Sequence, residues 1–147
     1  MERRGFRKDE AMTGGSVSLD TSVLLRLLIG EPEDQHEASM RFLSEQLSHG
    51  GEVHVADLVL AEAYFALQSY YAMPKKDALA ALSLFVRHGG VIVSPAAREV
   101  LSIQNLASSN PGFVDRLIHG ASYSGGHTLV TFEKAAKKLP STLVLKV

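Results

Sequence analysis

The chain has 147 residues, of which 46% are hydrophobic and 21% are charged, the balance of an ordinary globular domain rather than of a disordered or fibrous protein. It contains no cysteine, which excludes disulfide bonds and thiolate metal sites and agrees with a cytoplasmic location. Its formal net charge is −1 at pH 7, so a nucleic-acid partner would have to bind a local basic surface. No apolar run approaches the ~20 residues of a membrane-spanning helix.

The amino-terminal residues 1–15 are polar and of mixed charge. They lack the apolar stretch of a signal peptide, which argues against export. We interpret them as a flexible tail, within which Met12 could be the natural start. Since the remaining sequence shows no repeat, linker or low-complexity segment, we place a single domain at residues 16–147.

Short apolar runs alternate with longer amphipathic runs along this domain. In chain order, the predicted elements are a strand at 16–20, an apolar run at 21–29, a helix at 33–48, a strand at 53–55, a helix at 57–73, a helix at 75–88, a strand at 91–93, a helix at 95–107, a helix at 113–123, a strand at 128–132, a short helix or loop at 133–138 and a strand at 141–147. Asp57 and Ser94 are the predicted N-caps of their helices. Alternating strands and helices predict an α/β fold with a parallel sheet and helices on both faces.

Four acidic residues stand at the edges of these apolar elements: Asp20, Glu62, Asp115 and Glu133. Asp20 ends the first strand and Glu133 directly follows the run TLVTF, and sites in open α/β folds form beyond the carboxyl ends of strands. Hard cations such as Mg²⁺ and Mn²⁺ bind carboxylate oxygens, so the four acids make a candidate metal cluster. Two metal ions ~4 Å apart can activate a water and stabilise the leaving oxygen of a phosphodiester.

Each acid also has a purely structural interpretation. Asp20 could cap a helix, and Asp115 lies in the first turn of its helix, where the helix dipole favours an acid. Glu62 is the one charged side chain of an apolar helix that we expect to be largely buried, so its charge needs a partner. That partner could be an arginine, Arg26 or Arg116 for example, or a metal ion.

The four acids and their surroundings resemble the acidic quartet of PIN-domain nucleases. The matching segments are VSLDTSVLL around Asp20, LVLAEAYFAL around Glu62, FVDRLIHGAS around Asp115 and TLVTFEKAAKKL around Glu133. The nearest likeness is to VapC-type toxins, and it covers about residues 16–147. This resemblance implies a three-layer α/β/α sandwich with a central, mainly parallel five-stranded sheet.

The resemblance also implies an activity, which is cleavage of RNA with Mg²⁺ or Mn²⁺. The metal would bind between Asp20, Glu62 and Asp115, and Glu133 would act through a second metal ion or through water. In this family the last acid is more often an aspartate, in a TFD-like run, whereas the chain has glutamate in TFE. The longer side chain can reach a metal through water.

Supporting residues and partners follow from the same resemblance. Ser22 and Thr131 match polar positions that support the acids. VapC-type members are the toxins of toxin–antitoxin pairs, form homodimers and are blocked by a small antitoxin that covers the site. Arg116, beside Asp115, could steady the acids or contact RNA.

Several other side chains have both a functional and a structural interpretation. The lysines at the ends of predicted helices could contact phosphates, or they could simply be solvated; they are Lys75, Lys76, Lys134, Lys137 and Lys138. The tyrosines of the helix at 57–73 could stack on bases, although we favour a place in the core; they are Tyr64, Tyr70 and Tyr71. His119 and His127 are spaced too far apart for a helical metal pair.

Three other functions compete with a metal-dependent ribonuclease. The first is a PIN fold that binds RNA or a protein without cutting, and the TFE run favours it. The second is a phosphotransferase of the haloacid-dehalogenase kind, which usually needs a second aspartate where the chain has Ser22. The third is a phosphoaspartate receiver, which needs an acidic pair that Asp20 does not have.

Overall fold

The structure is a computed structural model that describes residues 15–147, so all but the last residue of the expected tail lies outside the described residues. The chain divides into two compact units, an amino-terminal unit, Met1–Val93, and a carboxy-terminal unit, Ser94–Val147. Among the helices of the described residues, none combines the length and the apolar character that a membrane span requires.

The described part of the amino-terminal unit contains two short strands and four helices. They are β1 (Ser16–Ser18), α1 (Thr21–Leu28), α2 (Glu33–Ser48), β2 (Glu52–His54), α3 (Asp57–Ser69) and α4 (Lys75–His88). The two strands pair in parallel, with Val17 opposite Val53, and Ile92 adds one parallel bridge to His54. The strand predicted at 91–93 is therefore reduced to a single bridging residue.

Apolar side chains of β2, the helices and the intervening loops form the core of this unit. Its members that are almost fully buried include Leu19, Leu24, Val53, Val55, Leu60, Leu67, Leu82 and Val86. Helix α1 lies at the centre of the packing, since it contacts α2, α3 and α4. The segment that follows β1 is therefore held by three helices.

The bounds of α3 differ from the prediction at both ends. Ala56 rather than Asp57 is the N-cap residue, and Asp57 is the first residue of the helix. The helix ends at Ser69 instead of residue 73. The reason is local, because Ala72 adopts a left-handed conformation with φ 54° and Pro74 is already the N-cap residue of α4.

The carboxy-terminal unit contains two helices, two strands and two 3-10 turns. They are α5 (Pro95–Leu101), a turn at Leu106–Ser108, α6 (Phe113–Ser124), β3 (Leu129–Thr131), a turn at Lys134–Lys138 and β4 (Thr142–Val144). Ser94 caps α5, because its Oγ accepts a hydrogen bond of 3.0 Å from the backbone N–H of Ala97, and this start was predicted. The helix ends at Leu101, six residues before its predicted end at 107.

The sequence predicts that Val114, Leu117, Ile118 and Ala121 share the apolar face of α6, and of these four residues only Leu117 is buried. Phe113 and Leu117 are buried, whereas Ile118 is 51% exposed. The reason is the packing of α6 against α5, where a Cβ on Gly120 would lie only 2.5 Å from the Cβ of Ala96. The side of α6 that carries Phe113, Leu117 and Gly120 therefore faces the core of the unit.

Parallel pairing and an α/β architecture are thus present in the described residues. Strands β3 and β4 pair in parallel with Val130 opposite Leu143, as β1 and β2 do in the other unit. The joined five-stranded sheet and the three-layer sandwich stay predictions.

Gly51 lies against the side chain of Gln46, which is fully buried near the end of α2. The Nε2 of Gln46 donates a hydrogen bond of 2.8 Å to the backbone oxygen of Gly15, just before β1. A Cβ on Gly51 would lie 2.6 Å from Cδ of Gln46 and 3.0 Å from its backbone oxygen. The turn between α2 and β2 therefore needs a residue without a side chain.

We expect Gly51→Ala to lower the free energy of unfolding by about 1–3 kcal/mol, because the buried amide of Gln46 has no room to move away. Urea denaturation measures this change. Gly30→Ala is the matched control, since nothing lies within 4 Å of a Cβ at that position, and its stability should be unchanged or slightly raised. Equal losses in the two variants would contradict the prediction.

Candidate functional site

Asp20 stands between β1 and α1 and caps the helix. Its Oδ1 accepts hydrogen bonds from Ser22 Oγ at 2.7 Å and from the backbone N–H of Val23 at 3.2 Å. The residue is nevertheless exposed. The interpretation of Asp20 as a helix cap is confirmed, and both of these bonds use one of its two carboxylate oxygens.

These hydrogen bonds also lower the pKa of the Asp20 carboxyl. The Ser22 hydroxyl contributes most to lowering the pKa of the Asp20 carboxyl below its usual value, and the Val23 N–H contributes next. The carboxylate therefore stays ionised at neutral pH and in mild acid, and the ionised form is the one that binds a cation.

Glu62 lies in the middle of α3 and is exposed, so the expectation of a largely buried helix is wrong at this position. Its Oε1 accepts a hydrogen bond of 2.6 Å from Thr21 Oγ1. The helix buries Leu60, Ala63, Tyr64 and Leu67. The opposite side faces solvent, where Leu58 and Phe65 flank Glu62 and are 70% and 55% exposed.

The two arginines proposed as partners of Glu62 make other hydrogen bonds. Arg26 donates from Nε to Gln35 Oε1 at 2.6 Å and from Nη1 to the Tyr71 hydroxyl at 3.3 Å. Arg116 belongs to the carboxy-terminal unit, where its Nε donates to the backbone oxygen of Pro111 at 2.7 Å. The hydrogen bond that Glu62 does accept comes from a neutral hydroxyl.

Thr21 is the residue of this site that the sequence analysis missed. It directly follows Asp20, and its hydroxyl reaches Glu62 across 41 positions of the chain. The available signal was the run DTS, in which two hydroxyl residues follow the acid. Through Thr21 the structure ties the segment that carries Asp20 to the middle of α3.

The carboxy-terminal unit brings Asp115 and Glu133 to one cleft. Asp115 lies in the first turn of α6, Glu133 follows β3, and both are exposed. They line a cleft of about 140 Å³ together with Pro111, Ile118 and Thr131. Thr131 Oγ1 accepts a hydrogen bond of 3.0 Å from the backbone N–H of Glu133, which holds the chain as it leaves the strand.

The four predicted acids are thus divided between the two units, with Asp20 and Glu62 in one and Asp115 and Glu133 in the other. Residues 15–147 contain no group of three or more His, Cys, Asp or Glu side chains placed to hold a metal ion. The donor atoms of these acids are carboxylate oxygens with hydroxyls beside them, and this is the donor set that Mg²⁺ and Mn²⁺ prefer. The chemistry of these residues therefore fits a hard divalent cation.

The lysine, tyrosine and histidine side chains discussed in the sequence analysis lie in different environments. Lys134 is exposed directly after Glu133, and Lys138 Nζ donates to the backbone oxygen of Asn110 at 2.6 Å. Tyr64 is buried as predicted, but Tyr70 is 81% exposed, so its assignment to the core is wrong. His119 is buried and donates from Nε2 to the backbone oxygen of Pro140 at 2.7 Å, which is a structural role.

Removing the Ser22 hydroxyl should raise the pKa of Asp20. In Ser22→Ala the largest lowering contribution is lost, so the carboxyl carbon of Asp20 should titrate at higher pH in a ¹³C NMR titration. Because the folded-state pKa lies below the unfolded-state value, the stability that Asp20 contributes is present above the unfolded-state pKa and is lost as pH falls. The Ser22→Ala variant should therefore lose less stability than the wild type as the pH falls.

Ser69→Ala is the control for that titration, because Ser69 Oγ donates to the backbone oxygen of Phe65 in α3. It should leave the titration of Asp20 unchanged. An Asp20 titration curve that is the same in Ser22→Ala as in the wild type would show that the hydroxyl does not lower the pKa of Asp20.

Comparison with known proteins assigns the fold that carries these acids. A model of the PIN domain matches residues 17–141, which cover most of the chain and extend over both units. A comparison with curated proteins gave no significant match. PIN domains are generally nucleases that use divalent metal ions. The chain belongs to the PIN-domain family.

Proposed function

We propose that the chain is a ribonuclease that hydrolyses phosphodiester bonds of RNA with Mg²⁺ or Mn²⁺. The observation that carries this proposal is the placement of exposed carboxylates: Glu62 accepts a hydrogen bond from Thr21, the residue after Asp20, and Asp115 and Glu133 line one cleft. These acids belong to a chain of a generally nucleolytic family.

In this proposal Asp20, Glu62 and Asp115 hold the metal ion, and Glu133 contributes directly or through water. When bound, the ion would supply an activated water and stabilise the oxygen that leaves the cleaved phosphodiester. No side chain acts as a covalent nucleophile.

Hydroxyl groups of neighbouring residues form hydrogen bonds with three of these acids. Ser22 lowers the pKa of Asp20, Thr21 positions the carboxylate of Glu62, and Thr131 holds the backbone at Glu133. Because these bonds leave the acids exposed, a cation and a substrate can both approach.

The distribution of charge favours a phosphate-binding surface in the carboxy-terminal unit. Residues 94–147 carry six Lys and Arg against three Asp and Glu, a net charge of +3. Residues 15–93 carry five Lys and Arg against ten Asp and Glu, a net charge of −5. Phosphate groups bind to clustered positive charge. The candidates for contacts to the RNA backbone are therefore Arg116, Lys134 and Lys137.

The toxin assignment is a further part of the proposal. It is supported by the resemblance of the four acidic segments to VapC-type toxins. Under it, the chain acts in the cytoplasm as a homodimer and is blocked by an antitoxin protein that covers the acids.

Asp20→Asn should abolish most RNA cleavage. We expect a loss of about 100-fold or more, because the amide removes the charge from a metal ligand. The measurement is cleavage of a mixed structured RNA by the purified protein in Mg²⁺ or Mn²⁺, with EDTA as the metal-free arm. Asparagine caps helices as well as aspartate, so the thermal midpoint of unfolding should hardly change.

Asp77→Asn is the matched control, since Asp77 is an exposed acid in the first turn of α4. It should keep full activity. If the folded wild type cuts none of several RNAs but still binds them, the chain is a PIN domain that binds without cutting, and Glu133 in place of aspartate is the first residue to exchange.

Neutralising Lys134 and Lys137 should weaken RNA binding in a salt-dependent way. For each phosphate contact removed, the slope of log Kobs against log salt concentration should become shallower by about 0.7 on single-stranded RNA. The double variant Lys134→Gln/Lys137→Gln is compared with Lys75→Gln/Lys76→Gln, which removes the same charge from the start of α4 in the acidic unit. Equal slopes in the two double variants would contradict a phosphate surface in the carboxy-terminal unit.

A further inference from the structure

Helices α1, α2 and α4 enclose an apolar groove in the amino-terminal unit. Its volume is about 520 Å³, which is in the range of binding sites. Every described residue that lines it belongs to one of these three helices or is Gly89, directly after α4, so the groove does not run along an edge of the sheet. We call it the helix groove.

Several apolar side chains of the helix groove are exposed. Met40 of α2 and Leu84 of α4 are exposed, and Phe85 beside them is half-buried. Ser44 and His88 are the polar side chains among the described residues that line the groove. A contiguous apolar surface of this kind marks a place where another segment binds.

Helices α2 and α4 also carry acids on the side of the groove. On α2, Glu33 and Glu37 precede the lining residue Met40 at spacings of four and three, and residues so spaced share one face of a helix. On α4, Asp77 precedes the lining residue Ala81 by four positions. The three acids are exposed, so both helices present negative charge before their apolar lining residues.

The two ends of the helix groove therefore differ in charge. Leu47, near the end of α2, lies against Gly90, two residues after α4, because a Cβ on this glycine would be 2.8 Å from a methyl group of Leu47. The carboxy-terminal ends of the two helices thus meet at one end of the groove, which we call the Leu47 end. The three acids lie toward the opposite end.

The described part of the chain starts beside the Leu47 end. The backbone oxygen of Gly15 accepts a hydrogen bond of 2.8 Å from Nε2 of Gln46, the residue before Leu47. When extended, residues 1–14 span up to about 46 Å, whereas α2 is about 21 Å long from Leu47 to Glu33. This segment joins the unit next to the groove and is long enough to reach the acids.

The side chains of residues 1–14 have the same order as those of the groove. Met12 stands close to Gly15, and residues 1–8 carry four Lys and Arg against one Glu, a net charge of +3. Asp9 and Glu10 separate the two parts. An apolar side chain is thus nearest to the apolar end of the groove, and the positive charge is farther along the segment, as the acids are farther along the helices.

We propose that residues 1–14 of this chain lie along the helix groove. Met12 covers its apolar part, and Arg7 approaches Glu37. The sequence alone favoured a flexible tail, and the groove gives this tail a place to bind. A short tether gives a segment an effective concentration of about 1 mM, so an affinity of about 0.1 mM covers the groove in about nine molecules of ten. The inference does not depend on the proposed ribonuclease activity.

The chain has no cysteine, so one introduced thiol reports on one place. In Leu84→Cys the thiol stands in the helix groove, and its rate of reaction with a maleimide is compared between the full chain and a chain that lacks residues 1–14. We expect the full chain to react about 10-fold more slowly, because the segment covers the thiol. Glu45→Cys is the control, since Glu45 is an exposed residue of α2 that does not line the groove, and both lengths should react alike.

Two results of this labelling experiment would overturn the proposal. Slow reaction of Leu84→Cys at both lengths would mean that the carboxy-terminal unit or a second copy covers the groove. Fast reaction at both lengths would mean that nothing covers it. Circular dichroism checks that both lengths are folded.

A charge exchange tests the same contact without shortening the chain. With Leu84→Cys present, Glu37→Arg should make the thiol react faster by a factor of about 2 to 5, because Arg7 then meets a like charge. Adding Arg7→Glu should restore the slow reaction. Glu45→Arg makes the same change of charge away from the groove and should leave the rate unchanged. Equal rates in Glu37→Arg and Glu45→Arg would contradict the proposed placement of Arg7.

A disulfide bond identifies the chain that supplies the segment. The variant Met12→Cys/Met40→Cys is treated with oxidised glutathione, and we expect a cross-link within one chain, which runs as a monomer on a denaturing gel. Met12→Cys/Glu45→Cys should cross-link more slowly. A cross-linked dimer would show that a second copy supplies the segment, and it would overturn the placement within one chain.

Discussion

The hydrogen bonds that hold the Asp20 carboxylate at the start of α1 constrain the rest of the candidate site. They join a strand end to a helix start, they keep the acid ionised, and they use one of its two oxygens. The next residue, Thr21, connects this segment to α3, because its hydroxyl donates a hydrogen bond to Glu62. The chain segment that carries Asp20 is thereby linked, through the one residue Thr21, to an acid that is distant along the chain.

The exposure of Glu62 changes the physical argument for its role. A buried glutamate would have required a compensating charge inside the protein, whereas an exposed one keeps its hydration and needs none. Its short bond to a neutral hydroxyl fixes the direction of the carboxylate without neutralising it. Such an acid can bind a cation from solution, as the proposed ribonuclease requires.

The two parts of the chain differ in charge. The carboxy-terminal unit has an excess of lysine and arginine, and residues 15–93 have an excess of aspartate and glutamate. Contacts to phosphates hold the RNA backbone without reading its sequence. In the proposed ribonuclease, substitution of the basic residues of the carboxy-terminal unit would therefore change affinity more than base preference.

The sequence by itself determined the elements whose signals are local. Helices α2 and α4 have their predicted bounds, because a proline precedes each start and glycines follow shortly after each end, and Ser94 caps α5 as its Ser-Pro run predicts. The order of the four acids and the family resemblance also needed no structure. The tertiary structure decided which side of α3 and of α6 is buried, that Thr21 meets Glu62, and that Asp115 and Glu133 share a cleft. These features depend on contacts between segments far apart in the chain, and local periodicity carries no information about which neighbouring helix or strand covers a given face.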